Sequence, residues 1–143
     1  GGVFSIGSTV VSWYSRKQRS VALSSAEAEY MAASLAACEA IWMRKILVGL
    51  FGSLLDPTVI YCDNQSCIKL SANPVFHDRS KHIDIRYHHI RDCVQRRIML
   101  LSYIPMEDLD ADILMKALTR RKFEYNRGRI GVADNPYLVE REC

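Results

Sequence analysis

Glu29, Asp63 and Asp112 stand out because each falls where a predicted helix begins or a predicted strand ends. Glu29 lies in Ser24-Ser25-Ala26-Glu27-Ala28-Glu29-Tyr30, in the first turns of a helix. Asp63 closes the apolar run Val59-Ile60-Tyr61-Cys62 and precedes Asn64-Gln65-Ser66. Asp112 opens the amphipathic stretch Asp112-Ile113-Leu114-Met115-Lys116-Ala117-Leu118. Carboxylates far apart in sequence but fixed on rigid elements are what a two-metal nuclease site requires. Mg²⁺ takes hard oxygen ligands, and two ions ~4 Å apart need several of them. Each residue also has an ordinary explanation. Asp63 suits the N-cap of a helix starting near Gln65. Glu29 suits a first-turn glutamate favoured by the helix dipole, and Asp112 belongs to an acidic group with Glu107, Asp108 and Asp110 that suits a helix start. Glu27 is accounted for by capping and is left out of the candidate site.

The elements that must position these residues follow from patterning. Val3–Ile6 and Thr9–Tyr14 read as short strands joined by a tight turn at Gly7-Ser8. Ser24-x-x-Glu27 has the form of a capping box. The helix behind it carries Ala28, Met31, Leu35, Cys38, Trp42 and Ile46 at three- and four-residue spacing, a stripe predicted to face the core. It should run to about Val48, where Gly49 and Gly52 stop it. Thr58–Cys62 is β-branched and apolar without alternation, which predicts a strand buried on both faces. A short helix over Gln65–Ala72, a second over Ile85–Arg97 and a strand over Ile98–Ile104 follow. Beyond Pro105, Met106-Glu107-Asp108 should lead into a helix through Leu109, Ile113 and Ala117, and the tail after Thr119 is weakly patterned. This order of elements suits an α/β fold with a mixed, partly parallel sheet and helices on its faces.

Composition narrows the class. With 143 residues, 49% hydrophobic and 24% charged, the chain reads as one domain over residues 1–131 with a C-terminal tail at 132–143. No apolar run reaches membrane-spanning length, so no membrane partner is expected. Five cysteines form no C-x-x-C pair and sit mostly in apolar patterns, which predicts reduced thiols and an intracellular setting. Net charge is only +3, but basic residues gather at Arg79, Lys81, Arg86, Arg91, Arg96 and Arg97, and again at Arg120, Arg121, Lys122, Arg127 and Arg129. Such stripes suit phosphate backbones, and equally a solvated face with Asp78, Asp84 and Asp92 interleaved. His89 and Cys93 share a helix face but lack two further zinc ligands at credible spacing. Cys67 with His77 lacks a third group to orient a catalytic thiol pair. The glycines make no phosphate-cradling loop.

Taken in order, several segments resemble the ribonuclease H domain of Ty1/copia-type retrotransposon polyproteins. They are Val11-Ser12-Trp13-Tyr14-Ser15-Arg16-Lys17-Gln18, Ser24 to Ala32, Tyr61-Cys62-Asp63-Asn64-Gln65-Ser66, Asn73-Pro74-Val75-Phe76-His77, Ser80-Lys81-His82-Ile83-Asp84-Ile85 and Ala111 to Leu118. The resemblance implies a ribonuclease H-like fold with a mixed five-stranded sheet. It implies endonucleolytic hydrolysis of the RNA strand of RNA–DNA hybrids during reverse transcription. Glu29, Asp63 and Asp112 would be the catalytic, metal-holding carboxylates for two Mg²⁺ ions, with Mn²⁺ as a substitute. Asn64, Gln65, Lys81 and Arg86 would contact the hybrid. The partners implied are that hybrid and the upstream reverse transcriptase domain of the same polyprotein, in a cytoplasmic particle or the nucleus. Family members also carry a central, Asp-bearing strand ahead of the segment matching Gly1-Gly2-Val3-Phe4, and the 143 residues do not include it. The expectation is therefore an impaired enzyme. The competing expectation is a non-catalytic retroelement remnant that still binds nucleic acid.

Overall fold

In the computed structural model, which describes residues 1–18, 21–52, 56–72 and 88–133, a strand hairpin comes first: β1 (Gly2–Ile6) and β2 (Thr9–Tyr14). The long helix α1 (Ser25–Phe51), β3 (Thr58–Cys62), α2 (Gln65–Ala72), α3 (His89–Gln95) and β4 (Met99–Tyr103) follow. Two 3-10 turns, Met106–Asp108 and Asp110–Leu114, precede α4 (Arg120–Arg129). The mixed α/β class read from the sequence holds. The described strands form two two-stranded sheets, β1 with β2 and β3 with β4. The chain divides into two units, one of Gly1–Arg16 with the segment from Asp110 onward, the other of Lys17–Leu109.

In the first unit β1 and β2 pair antiparallel from Gly2↔Tyr14 to Ile6↔Thr9, with a bulge at Phe4/Ser5. The two-residue turn works because Gly7 takes φ +60°, a left-handed conformation that a side chain would resist. The Ser15 hydroxyl donates to the Leu114 carbonyl at 2.7 Å, tying the end of the hairpin to the Asp110–Leu114 turn. That turn replaces part of the helix expected through Leu109, Ile113 and Ala117. Aspartate is a poor helix former, because its carboxylate competes for nearby backbone donors, and Asp108, Asp110 and Asp112 crowd this stretch. Conversely, the weakly patterned tail contains α4. An apolar stripe does not hold this helix. Arg120 pairs with Glu124 at 2.8 Å and Arg129 with Asp110 at 3.0 Å, while Lys122 reaches Asp112 at 3.2 Å. A search for apolar periodicity does not register a helix docked through charges.

In the second unit α1 packs on β3, α2 and α3. Ser24 caps it in extended backbone, and its hydroxyl accepts from the Glu27 N–H at 3.2 Å. The buried Glu27 carboxylate accepts in turn from the Leu23 N–H, one residue earlier than the reciprocal bond of a standard capping box. Gly52, at φ +66°, ends the helix and donates to the Val48 carbonyl at 2.8 Å, three residues beyond the expected end. The face of α1 is a correction. Leu35, Cys38, Trp42 and Ile46 are exposed, Trp42 to 58%. Of the expected stripe Met31 is buried, and the buried residues are Glu27, Tyr30, Met31, Ala33, Ser34, Ala37 and Ala40. Small side chains let neighbouring elements approach closely, and this close packing outweighs the larger residues of the opposite stripe.

β3 runs parallel to β4, from Thr58↔Met99 to Cys62↔Tyr103. The expectation of burial on both faces fails, because Val59 and Tyr61 are exposed while Cys62 is buried. Among the described residues, α1 and α2 pack against β3 and α2 and α3 against β4. α3 starts at His89, so the residues of the expected helix before His88 lie outside the described residues. Arg91, counted in the basic stripe, is instead buried. Its Nε donates to the Leu70 carbonyl at 3.0 Å, satisfying one of the last carbonyls of α2, and its guanidinium lies 5.8 Å from the centre of the Tyr30 ring. Tyr30 is fully buried and its hydroxyl hydrogen-bonds His88 Nδ1 at 3.0 Å. Burial pushes the Tyr30 phenol up to about 12, with Arg91 opposing. Burial, with Arg91 beside it, pushes His88 below its usual value.

Two outcomes follow for stability. Trp42→Ala should cost less than ~1 kcal/mol, whereas Ala37→Leu should cost ~1–3 kcal/mol by overpacking, measured by urea unfolding; the reverse order would put the large-residue stripe in the core. Below pH 6.5 the unfolded chain takes up a proton at His88 that the folded chain resists, so stability falls as pH drops. From pH 10 to about 12 the unfolded chain gives up the Tyr30 proton that the folded chain keeps, so stability falls as pH rises. Urea midpoints across pH should show both limbs, with His88→Gln flattening the acid one and Tyr30→Phe the alkaline one.

Candidate metal centre

Two local caps decide what is left for chemistry in the second unit. Glu27 is consumed by the start of α1, and Glu29 follows two residues later on a different side of the helix. At the end of β3 the cap of α2 is Asn64, not Asp63. Asn64 Oδ1 accepts from the Ser66 N–H at 2.9 Å and the Cys67 N–H at 3.1 Å. The ordinary explanation for Asp63 therefore belongs to its neighbour. The carboxylates of Glu29 and Asp63 and the Cys62 sulfur offer donor atoms that all lie within 4.8 Å of one another. Glu29 and Asp63 are half-buried and Cys62 is 5% exposed.

Cys62 was not among the residues singled out from the sequence. Strand alternation would send it and Asp63 to opposite faces, but β3 ends at Cys62 and the chain turns there. The Asn64 N–H donates to Cys62 Sγ at 3.4 Å and holds that turn. A hydrogen bond from the Cys67 side chain holds the Cys62 thiol below the ordinary thiol value, against burial and against the charges of Glu29 and Asp63. The same bond, with burial, drives the Cys67 thiol far upward. The described cysteines are free thiols.

Asp112 belongs to the other unit, where it is 1% exposed. Its Oδ2 takes Lys116 Nζ at 2.9 Å and Lys122 Nζ at 3.2 Å. Gln65 is exposed at the first position of α2, directly after the cap. Lys81 and Arg86 lie outside the described residues, as does His77. His89 Nε2 and Cys93 Sγ meet at 3.5 Å on α3, and no third potential ligand joins them among the described residues. Two carboxylates brought together from different elements suit a hard divalent cation such as Mg²⁺.

The chain is 41% identical over 135 residues to the retrovirus-related Pol polyprotein from transposon TNT 1-94 of Nicotiana tabacum. It is 41% identical over 136 residues to that from transposon RE1 of Arabidopsis thaliana, and 40% identical over 136 residues to that from RE2. The chain is homologous to a segment of plant-transposon Pol polyproteins. The alignments take in 94% or 95% of the chain but only 9% or 10% of each relative, so it spans about a tenth of their length. No family model and no solved structure matches it. No described helix of the chain is long and apolar enough to cross a membrane.

The division of labour at the end of β3 is testable by unfolding. Asn64→Ala should cost ~1 kcal/mol as a lost cap. Asp63→Ala should stay within ~0.5 kcal/mol of the parent. The opposite result would make Asp63 the cap and remove it from the candidate site.

Proposed function

We propose that this Pol segment is a ribonuclease H region that hydrolyses the RNA strand of an RNA–DNA hybrid during reverse transcription. The observation that carries this reading is the meeting of the Glu29 and Asp63 side chains within 4.8 Å, from the start of one helix and the end of one strand. The N-cap duty that would explain Asp63 is performed by Asn64 instead. Glu29 and Asp63 would hold divalent ions, and the resemblance adds Asp112. Two Mg²⁺ ions, or Mn²⁺ in their place, supply Lewis-acid activation of water and stabilisation of the leaving oxygen when bound. The residues themselves provide fixed negative charge on rigid elements, which is what holds such ions in register. Asn64 and Gln65 follow Asp63 directly and, with Lys81 and Arg86, would contact phosphates and 2′-hydroxyls of the hybrid, reading its shape rather than its sequence. The upstream reverse transcriptase of the same polyprotein is the partner this reading requires, in a cytoplasmic particle or the nucleus.

A second reading rests on Asp112. Two lysine ammonium groups already compensate its buried carboxylate, which suits a structural ion pair and a remnant that binds nucleic acid without cutting it. A labelled RNA–DNA hybrid separates the two. Mg²⁺-dependent cleavage of the RNA strand, reduced at least ~100-fold by Asp63→Asn, more than outer-shell changes usually cause, is the expected result. Hybrid binding with no cleavage in Mg²⁺ or Mn²⁺ would favour the second reading, and neither binding nor cleavage would remove both.

A further inference from the structure

The third member of the group at the end of β3 is a sulfur atom, and Mg²⁺ has no use for it. Hard cations take oxygen, whereas thiolate ligands favour Zn²⁺ and its softer relatives. Cys62 Sγ lies within 4.8 Å of donor oxygens from both Glu29 and Asp63 and is almost sealed from solvent. We propose that Cys62 completes, with Glu29 and Asp63, a mixed oxygen–sulfur site for a thiophilic divalent cation of the Zn²⁺ or Cd²⁺ class. Such an ion competes with Mg²⁺ for the same carboxylates. The proposal rests on the metal centre read above and adds a second donor set to it.

The geometry needs little adjustment. Zinc bonds of about 2.0–2.3 Å at tetrahedral angles set ligand atoms about 3.5 Å apart, so donors now within 4.8 Å close by a shift of about 1 Å. Three protein ligands leave the fourth position to water. On binding, the Cys62 S–H bond breaks, its electron pair goes to the metal and its proton to water, with no change of oxidation state. The Asn64 N–H, at 3.4 Å from Cys62 Sγ, is placed to stay as an outer hydrogen bond to the bound sulfur.

Cd²⁺ added to the 143-residue chain should produce a thiolate-to-metal charge-transfer band in the ultraviolet. That band should be lost in Cys62→Ser, weakened in Glu29→Gln and Asp63→Asn, reversed by excess chelator, and retained in Cys67→Ser. A band that survives Cys62→Ser, or that ignores both carboxylate variants, overturns the proposal, because the metal then sits on other thiols. Zinc-edge X-ray absorption on the unmodified chain needs no variant to fold: one sulfur with oxygen neighbours is expected, and an all-oxygen or two-sulfur shell overturns it. The outcomes are separable from the cleavage assay. The cadmium pattern without any Mg²⁺-dependent cleavage would sustain the mixed site while removing the nuclease reading. Cleavage with no charge-transfer band would do the reverse.

Discussion

Tyr30 has no surface left to water, and what surrounds it decides which way α1 faces. Its ring sits under the Arg91 guanidinium and its hydroxyl reaches His88, so the residue is held from α3 and from the residue that leads into it. Arg91 in turn ties the end of α2 through the Leu70 carbonyl. With Tyr30 so placed, Glu29 is turned about 100° around the helix from it. That rotation brings the Glu29 carboxylate to the end of β3, which α1 also packs against. Register along the helix is just as constrained, because Ser24 and Glu27 fix the first turn and so the height at which Glu29 emerges. The candidate centre depends on this orientation.

Much of the local structure was legible in the residues. The hairpin turn at Gly7-Ser8, the cap at Ser24, the strand Thr58–Cys62 and the helix Gln65–Ala72 lie where turn chemistry, capping and breakers put them. Those signals are local, and the residues carrying them act on their own backbone. What failed was non-local. Beyond Tyr30 and Met31 the core face of α1 is lined by alanine and serine, residues indifferent enough in hydrophobicity that leucine and tryptophan elsewhere on the helix dominate its periodicity. α4 is bound through Lys122 and Arg129 to carboxylates elsewhere in the chain, which periodicity cannot detect. Parallel pairing of β3 with β4 matched the expectation, but the coverage of their outer face did not, since it depends on elements other than the strand itself.

The candidate site was half legible for the same reason. Asp63 had an ordinary explanation that only a neighbouring residue could remove, and Asn64 removes it. Cys62 was invisible because the turn after β3, not the strand pattern, brings its sulfur alongside the carboxylates. Asp112 looked equivalent to the other two in sequence, yet its surroundings differ in kind.

That difference is electrostatic. Lys116 and Lys122 bring two ammonium groups to the buried Asp112, so the chain supplies its own cations there. At the end of β3 the third member of the group is a thiol, which carries no positive charge. Two carboxylates within 4.8 Å are oxygen donors from different elements held side by side, an arrangement that suits a divalent cation. The caps beside the pair do not depend on it: removing the charge of Glu29 or Asp63 would leave those of Glu27 and Asn64 intact. Oxygen donors in such a pair suit a hard divalent ion, and the adjacent sulfur widens the range of ions they suit.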